Sequence, residues 1–296
     1  MDKLTAIKVF LTVAETGSFT ETAERLEISK PMITRYVALM EEWLNARLFQ
    51  RTTRKVSLTD AGEQAVIFCQ KFADLREEME QDFAAQAGEL RGTLRIACNN
   101  SFGSSHLALA VNEFLLAHPK LQVQFVLSDD TVNLVEERID LAIRITNNPD
   151  PNLVARKLGT CHSLLVASPT YLARFDTPTH PKELEHHRYL SHSRVNRREW
   201  KFAKGEEEIT LELTSQFTSN DTTALFNCTL AHGGIAMLPK YMVDEPLKTG
   251  LLKTVMSDWQ LPVYNIYAMY PSRHKLPLSV RALLDFLVAK FSGQDW

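Results

Sequence analysis

A chain of 296 residues, 45% hydrophobic and 23% charged, has the makeup of a soluble globular protein and a length that suits two domains. Thirty-three basic against 36 acidic residues leave a net charge of −3, which excludes a uniformly basic nucleic-acid binder but not a local basic patch. The longest stretch without Asp, Glu, Lys or Arg, residues 222–239, carries Asn227, His232 and two glycines, so no membrane span and no membrane partner is expected. No apolar leader follows Asp2 and Lys3, and a cytoplasmic location is expected. Cys69, Cys98, Cys161 and Cys228 form neither a CxxC pair nor a Cys/His cluster. Four reduced thiols, no metal and no cofactor are the expectation.

Residues 1–58 read as short helices. Leu4, Ile7, Phe10, Val13 and Ala14 share one face of the first, which Thr16-Gly17 stops. Ser18, three residues before Glu21, predicts a capping box that opens a second helix with Phe19, Ala23 and Leu26 inward. Ser29 predicts the cap of a third, with Pro31 in its first turn. Ile33, Val37, Met40 and Leu44 form its inner side, and Asn45 suits a left-handed closing residue. Residues 50–58 predict a short basic hairpin.

One long helix is predicted for about 59–87. Ala61, Ala65, Phe68, Phe72, Leu75 and Met79 repeat at four and three in alternation, a heptad-like seam. A helix this long with one apolar stripe needs a partner. Pairing with a second subunit is expected ahead of packing on the chain's own C-terminal domain. Gly88 and Gly92 end the segment.

Residues 92–296 alternate strands and helices. Strands are predicted at 94–98, 123–127, 141–145, 163–167, 209–213 and 264–269. Helices are predicted at 105–117, 132–138, 222–231 and 279–291. This order argues for open, mostly parallel α/β sheets in two lobes, one from about 92–163 and 264–296, the other from about 164–263.

The stretch 28–56 holds Lys30, Arg35, Arg47, Arg51, Arg54 and Lys55 against Glu41 and Glu42, a local charge of +4. With Ile33, Val37 and Met40 inside, Lys30, Thr34 and Arg35 lie outward on the N-terminal half of the third helix. Such side chains suit a DNA major groove: Arg35 can bond guanine twice, and Thr34 can meet a phosphate or a thymine methyl. The free N–H groups after Ser29 attract phosphate. The hairpin with Arg51, Thr53, Arg54 and Lys55 suits phosphate or minor-groove contact. A solvated charged face is the alternative for each residue singly.

Gly17-Ser18-Phe19-Thr20, Ala23-Glu24-Arg25-Leu26, Ile28-Ser29-Lys30-Pro31-Met32-Ile33-Thr34-Arg35, Arg47-Leu48-Phe49-Gln50-Arg51-Thr52-Thr53-Arg54 and Leu58-Thr59-Asp60-Ala61-Gly62 resemble the winged helix-turn-helix of LysR-type transcriptional regulators. Residues 133–145, 165–172 and 233–239 are similar to the effector-binding domain of that family, in the branch of CrgA-like and AphB-like regulators. The resemblance spans essentially the whole chain. It implies a fold of the α/β class: an all-α winged helix-turn-helix over 1–58, a dimerising linker helix over 59–91, and a two-lobed α/β effector domain over 92–296, like periplasmic binding proteins. It also implies homodimers or homotetramers that bend promoter DNA. Ser29, Pro31, Thr34 and Arg35 would then face DNA, with Arg51 and Arg54 in the wing. Lys30 stands where members often carry Gln, and Glu27 where the turn usually has Gly.

A ligand of an open α/β lobe binds beyond the carboxyl ends of its strands. Asn99, Asn100, Ser101 and Phe102 follow the 94–98 strand, Ser128 follows the 123–127 strand, and Thr218 and Asn220 precede the 222–231 helix. These are the candidate effector residues, with ordinary helix capping as the alternative. Helix N-termini favour a small carboxylate, Asp129, Asp130 and Asp221 oppose it, and His192 and Arg144 favour it again, with a salt-bridged structural role as the alternative for Arg144, which sits between apolar Ile143 and Ile145. Effector closure of the lobes would change the spacing or bend of the bound DNA, and so access of RNA polymerase. No G-x-S-x-G, HExxH, P-loop or dinucleotide fingerprint supports an enzyme, and a solute carrier would need a signal peptide. Oxidation of Cys161 or Cys228 is the alternative input.

Overall fold

The computed structural model describes residues 2–51, 56–86, 89–129, 134, 136–195, 199–271, 276–294 and 296. The chain folds as two compact units, Met1–Ala87 and Gly88–Trp296.

In the first unit, helix α1 (Lys3–Thr16) starts at Asp2, whose carboxylate accepts from the N–H groups of Leu4 and Thr5, and closes on Gly17 at φ 64°. Helix α2 (Phe19–Leu26) has Ser18 as its cap: the hydroxyl accepts from the Glu21 N–H at 3.2 Å. The other half of the expected capping box is replaced, because the Ser18 N–H donates to Thr16 Oγ1. Glu27 closes α2 in the left-handed region at φ 55°, the conformation for which glycine is ordinarily used. Helix α3 (Lys30–Leu44) closes on Asn45, also left-handed. Strands β1 (Phe49–Arg51) and β2 (Val56–Leu58) pair antiparallel, Phe49 opposite Leu58. Helix α4 (Asp60–Gln86) follows.

Ile7, Phe10, Val13, Phe19, Ile33, Val37, Met40, Leu48 and Phe49 make the core of this unit, with Ala65 and Cys69 of α4. Leu4 and Leu44, expected inside, are exposed, since they sit in the terminal turns of their helices. Thr22 is fully buried on the inner face of α2, its hydroxyl 2.9 Å from that of Thr16. Gly62 lets α4 press on the preceding loop: a β-carbon there would lie 2.1 Å from the Leu48 carbonyl oxygen. That same oxygen accepts from the Thr59 N–H, and the Thr59 hydroxyl donates to the Arg47 carbonyl at 2.6 Å.

The second unit opens with β3 (Gly92–Cys98), a helical run made of α5 (Asn100–Phe102), a π turn (Gly103–Leu107) and α6 (Ala108–Ala117), then β4 (Leu121–Leu127), β5 (Leu141–Thr146) and β6 (Leu153–Cys161). The chain then enters a second sheet with β7 (Ser163–Ala167), α7 (Pro169–Phe175) and β8 (Tyr189–His192). A hairpin of β9 (Glu199–Lys204) and β10 (Glu207–Glu212) follows, then β11 (Phe217–Ser219), α8 (Thr222–Leu230), β12 (Ile235–Pro239), α9 (Lys240–Lys248) and β13 (Lys253–Thr254). Strand β14 (Tyr264–Pro271) and α10 (Leu278–Phe291) return to the first sheet.

The strand orders are β4-β3-β5-β14-β6 and β11-β8-β12-β7-β13. Both sheets are mixed where mostly parallel ones were expected. Strand β3 runs parallel to β4 and β5, but β14 is antiparallel to β5 and β6. Likewise β8 is parallel to β11 and β12, while β7 is antiparallel to β12 and β13. An apolar run reports burial, not direction, so the returning strand was unreadable. Of the helix expected at 132–138, positions 132, 133 and 135 lie outside the described residues; residues 136–138 form a turn, and Arg138 at φ 53° is not helical. The helix expected from residue 105 begins at Asn100. Its polar start is accommodated within the helix: Ser104 and Ser105 donate to the carbonyls of Asn100 and Ser101 one turn back, in and beside the π turn.

Candidate functional site

Helix α3 has one dry side and one wet side. Ile33, Val37 and Met40 are buried, and Lys30, Pro31, Thr34, Arg35 and Ala38 form a contiguous exposed stripe. Ser29 occupies the cap position; its hydroxyl makes no capping bond, while its carbonyl accepts from the N–H groups of Met32 at 2.9 Å and Ile33 at 3.1 Å and Pro31 has no N–H, so the expected set of free first-turn donors shrinks to the exposed Ser29 hydroxyl and the Lys30 N–H. Thr34 Oγ1 donates to the Lys30 carbonyl at 3.2 Å, which leaves its oxygen free to accept. Lys30 and Arg35 have no acidic partner among the described residues. The hairpin sits beyond α3, anchored by Glu41, whose carboxylate accepts from the Leu48 N–H at 2.8 Å. Arg51 lies in β1; Thr53 and Arg54 fall outside the described residues.

The seam of α4 divides in two. Ala65 is buried in the core of the first unit, whereas Phe68 is 69% exposed and Leu75 62%, with Phe72, Met79, Ile67 and Phe83 also open. A run of large apolar side chains in water of this length marks an interaction surface.

In the second unit the expected loops meet between the two sheets. Asn99 Nδ2 donates to Asp129 Oδ1 at 3.0 Å, and the Asn100 N–H donates to the same oxygen at 3.2 Å. Asn100 Nδ2 reaches across to Asp221 Oδ2 at 3.3 Å, and the Ser101 hydroxyl lies 2.9 Å from that of Tyr241. Asp221 caps α8 and Tyr241 lies in α9, so both bonds join one lobe to the other. Ser128 receives Arg144 Nη1 on its carbonyl at 2.7 Å, and its own N–H donates to the Cys98 carbonyl. Thr218 and Asn220 are exposed at the rim, Thr218 beside Ser191 in the β11–β8 ladder.

Burial holds the His192 imidazole below its ordinary value, against the opposing pull of Asp129 and Asp221. Burial likewise lowers the Arg144 guanidinium and raises the Tyr241 phenol. The cleft thus gathers two opposite kinds of charge out of water, where each acts strongly.

Phe102 does not line this cleft. It is fully buried, its ring against Tyr241, His106, Phe291 and Trp296, where it holds the Asn99–Ser101 loop from behind. Tyr241 is the site residue that the sequence reading missed. Its signal was a position in the first turn of a helix after the 235–239 strand, the same strand-to-helix geometry that singled out Asn99 and Asn100. Among the thiols, burial raises Cys69 and pushes Cys98 and Cys161 up to about 12. Cys228 is half-buried in α8.

Among the described residues no helix is long and apolar enough to cross a membrane. Residues 4–63 match the model of the bacterial regulatory helix-turn-helix protein, lysR family, and residues 87–292 match that of the LysR substrate binding domain. An HTH-type transcriptional regulator of Haemophilus influenzae is 34% identical over 284 residues, covering 96% of this chain and 99% of the relative. The full-length structure of the Vibrio cholerae virulence activator AphB shares 28% identity at a TM-score of 0.65, over 98% of this chain and 99% of that one. CrgA, a LysR-type transcriptional regulator from Neisseria meningitidis, shares 28% identity at a TM-score of 0.64, over 97% and 98%. A wet cationic helix face, a hairpin beside it, a long apolar-striped helix and a two-lobed α/β domain are the parts of one known kind of molecule: the chain belongs to the LysR family of transcriptional regulators.

Proposed function

We propose that α3 enters the major groove of promoter DNA and reads bases with Arg35 and Thr34, while Lys30, Ser29 and Pro31 meet the backbone at its N-terminal end. Arg51, Thr53 and Arg54 of the hairpin grip phosphate as a wing. The observation that carries this reading is the exposed stripe from Lys30 to Ala38 lying directly over the buried Ile33, Val37 and Met40. Residues 1–58 serve as the DNA-binding domain, 59–91 as the pairing helix and 92–296 as the sensor. The Phe68–Met79 stripe joins two subunits into a homodimer, the unit from which a tetramer is built. Two winged helices then address half-sites one or more DNA turns apart.

The effector is a small molecule bound between the lobes by Asn99, Asn100, Ser101 and Ser128 from one side and by Thr218, Asn220 and Asp221 from the other. It acts by favouring one arrangement of the lobes over another, which alters the spacing of the winged helices and the access of RNA polymerase. No catalytic step forms part of this mechanism. Oxidation is the weaker input, since burial raises the Cys161 thiol and leaves it little reactive thiolate; Cys228, half-buried in α8, is the more accessible of the two thiols for that reading. The test is selection of duplexes from a random pool by the purified protein, followed by competition with non-specific polynucleotide across salt concentrations. A preferred sequence that survives competition is expected; equal loss of every duplex overturns the reading.

A further inference from the structure

Three polar atoms in the cleft are shielded from solvent and without a hydrogen-bond partner: Arg144 Nη2, Asp129 Oδ2 and Asn99 Oδ1. Each belongs to a side chain whose other end is fastened. Arg144 Nη1 holds the Ser128 carbonyl, Asp129 Oδ1 receives Asn99 Nδ2 and the Asn100 N–H, and that amide bond fixes which way Asn99 points. Asn99 and Asp129 follow the carboxyl ends of β3 and β4, and Arg144 lies within β5, one residue beyond Ile143, which pairs with Cys98 at the end of β3. They also face the second lobe: Asp129 acts electrostatically on His192, and Arg194 acts on both His192 and Arg144. Orphaned buried polar atoms are rare in native folds and costly, more so when charged. Three of them in one ligand cleft specify what a ligand must supply.

The specification is chemical. Arg144 Nη2 lacks an acceptor. Asp129 Oδ2 and Asn99 Oδ1, on side chains joined by the Asn99–Asp129 hydrogen bond, lack donors. A carboxylate answers the first need, and an ammonium, with three N–H groups, answers both others. Building on the reading of this cleft as the effector site, we propose that the effector is a small amino carboxylate, with its carboxylate on Arg144 and its ammonium between Asp129 and Asn99.

Calorimetric titration of the full-length protein tests this. The probes are the L-α-amino acids, β-alanine and 4-aminobutyrate, each beside its deaminated carboxylate, its hydroxy acid and its decarboxylated amine. At least one amino carboxylate is expected to bind, with its three truncated or exchanged counterparts weaker by about tenfold or more. Arg144→Gln and Asp129→Asn should each weaken it by a similar factor, with Arg144→Lys retaining part. Unfolding temperature and oligomer size establish that the variants are folded. A carboxylate or hydroxy acid that binds as well as the amino carboxylate, and is lost in Arg144→Gln but not in Asp129→Asn, overturns the ammonium subsite and leaves the cleft as the effector site. Binding that ignores both substitutions places the ligand elsewhere and overturns the cleft reading as well. No binding by any amino carboxylate probe also overturns the proposal.

Discussion

The hydroxyls of Ser101 and Tyr241 lie 2.9 Å apart, although the two residues are 140 positions apart in the chain and belong to different lobes. Ser101 is buried and Tyr241 is in contact with the Phe102 ring, so this bond closes the cleft at its base. Tyr241→Phe leaves the serine hydroxyl buried and without its partner. A loss of about 1–3 kcal/mol in denaturant unfolding of the second unit is expected. Adding Ser101→Ala should recover part of it, the mark of a direct coupling.

On DNA, Arg35→Ala is expected to cost roughly 1–3 kcal/mol at the selected site. Fluorescence anisotropy against selected and random duplexes separates the roles of this side chain. A loss confined to the selected duplex supports base reading; an equal loss on both makes Arg35 a phosphate contact.

Phe72 and Leu75 stand open on α4. Replacing both with Asp puts two carboxylates into the proposed subunit seam. Light scattering should then report monomers, with unchanged helix content by circular dichroism. An oligomer of the wild-type size would show that the chains associate through another surface.

Acid should weaken the second unit. His192 is held below the ordinary 6.5 by burial, as are His106 and His187. Above about pH 6.5 the folded and unfolded chains carry the same protons at these sites. As the pH falls below that, the unfolded chain takes up protons that the folded one refuses, and stability declines until the lowered folded values are reached. Urea midpoints across this window should fall, and His192→Gln should flatten part of the slope. A slope unchanged by that substitution would show that His192 does not carry it.

Much of this architecture could be read from the chain, for reasons that differ by residue. Ile33, Val37 and Met40 announce their helix face by spacing alone, and α4 announces its length by an unbroken seam. Leu4 and Leu44 misled because periodicity does not say where a neighbouring helix ends. Thr22 was passed over because a hydroxyl reads as surface until its partner, Thr16, is seen. The Asn99–Ser101 loop was legible from its place after a strand. Tyr241 held the same kind of position after the 235–239 strand, but that it meets Ser101, and that Arg144 Nη2 is left without an acceptor, depends on which strands lie side by side, and that is fixed by tertiary pairing.

Gly62→Ala places a methyl group against the Leu48 carbonyl, which is backbone and cannot swing aside. A cost of about 1–3 kcal/mol to the first unit is expected in thermal or denaturant melts, with weaker DNA binding as its companion. Unaltered stability would mean that the α4 start can shift without strain.

The same seating of α4 on the Leu48 loop has a mechanical meaning. Thr59 grips two carbonyls of that loop, and Ala65 and Cys69 are embedded among Phe10, Ile33 and Met40. There is no slack at this junction. In the proposed mechanism a twist applied along α4 would reach the groove-reading head through these contacts, as through a keyed axle.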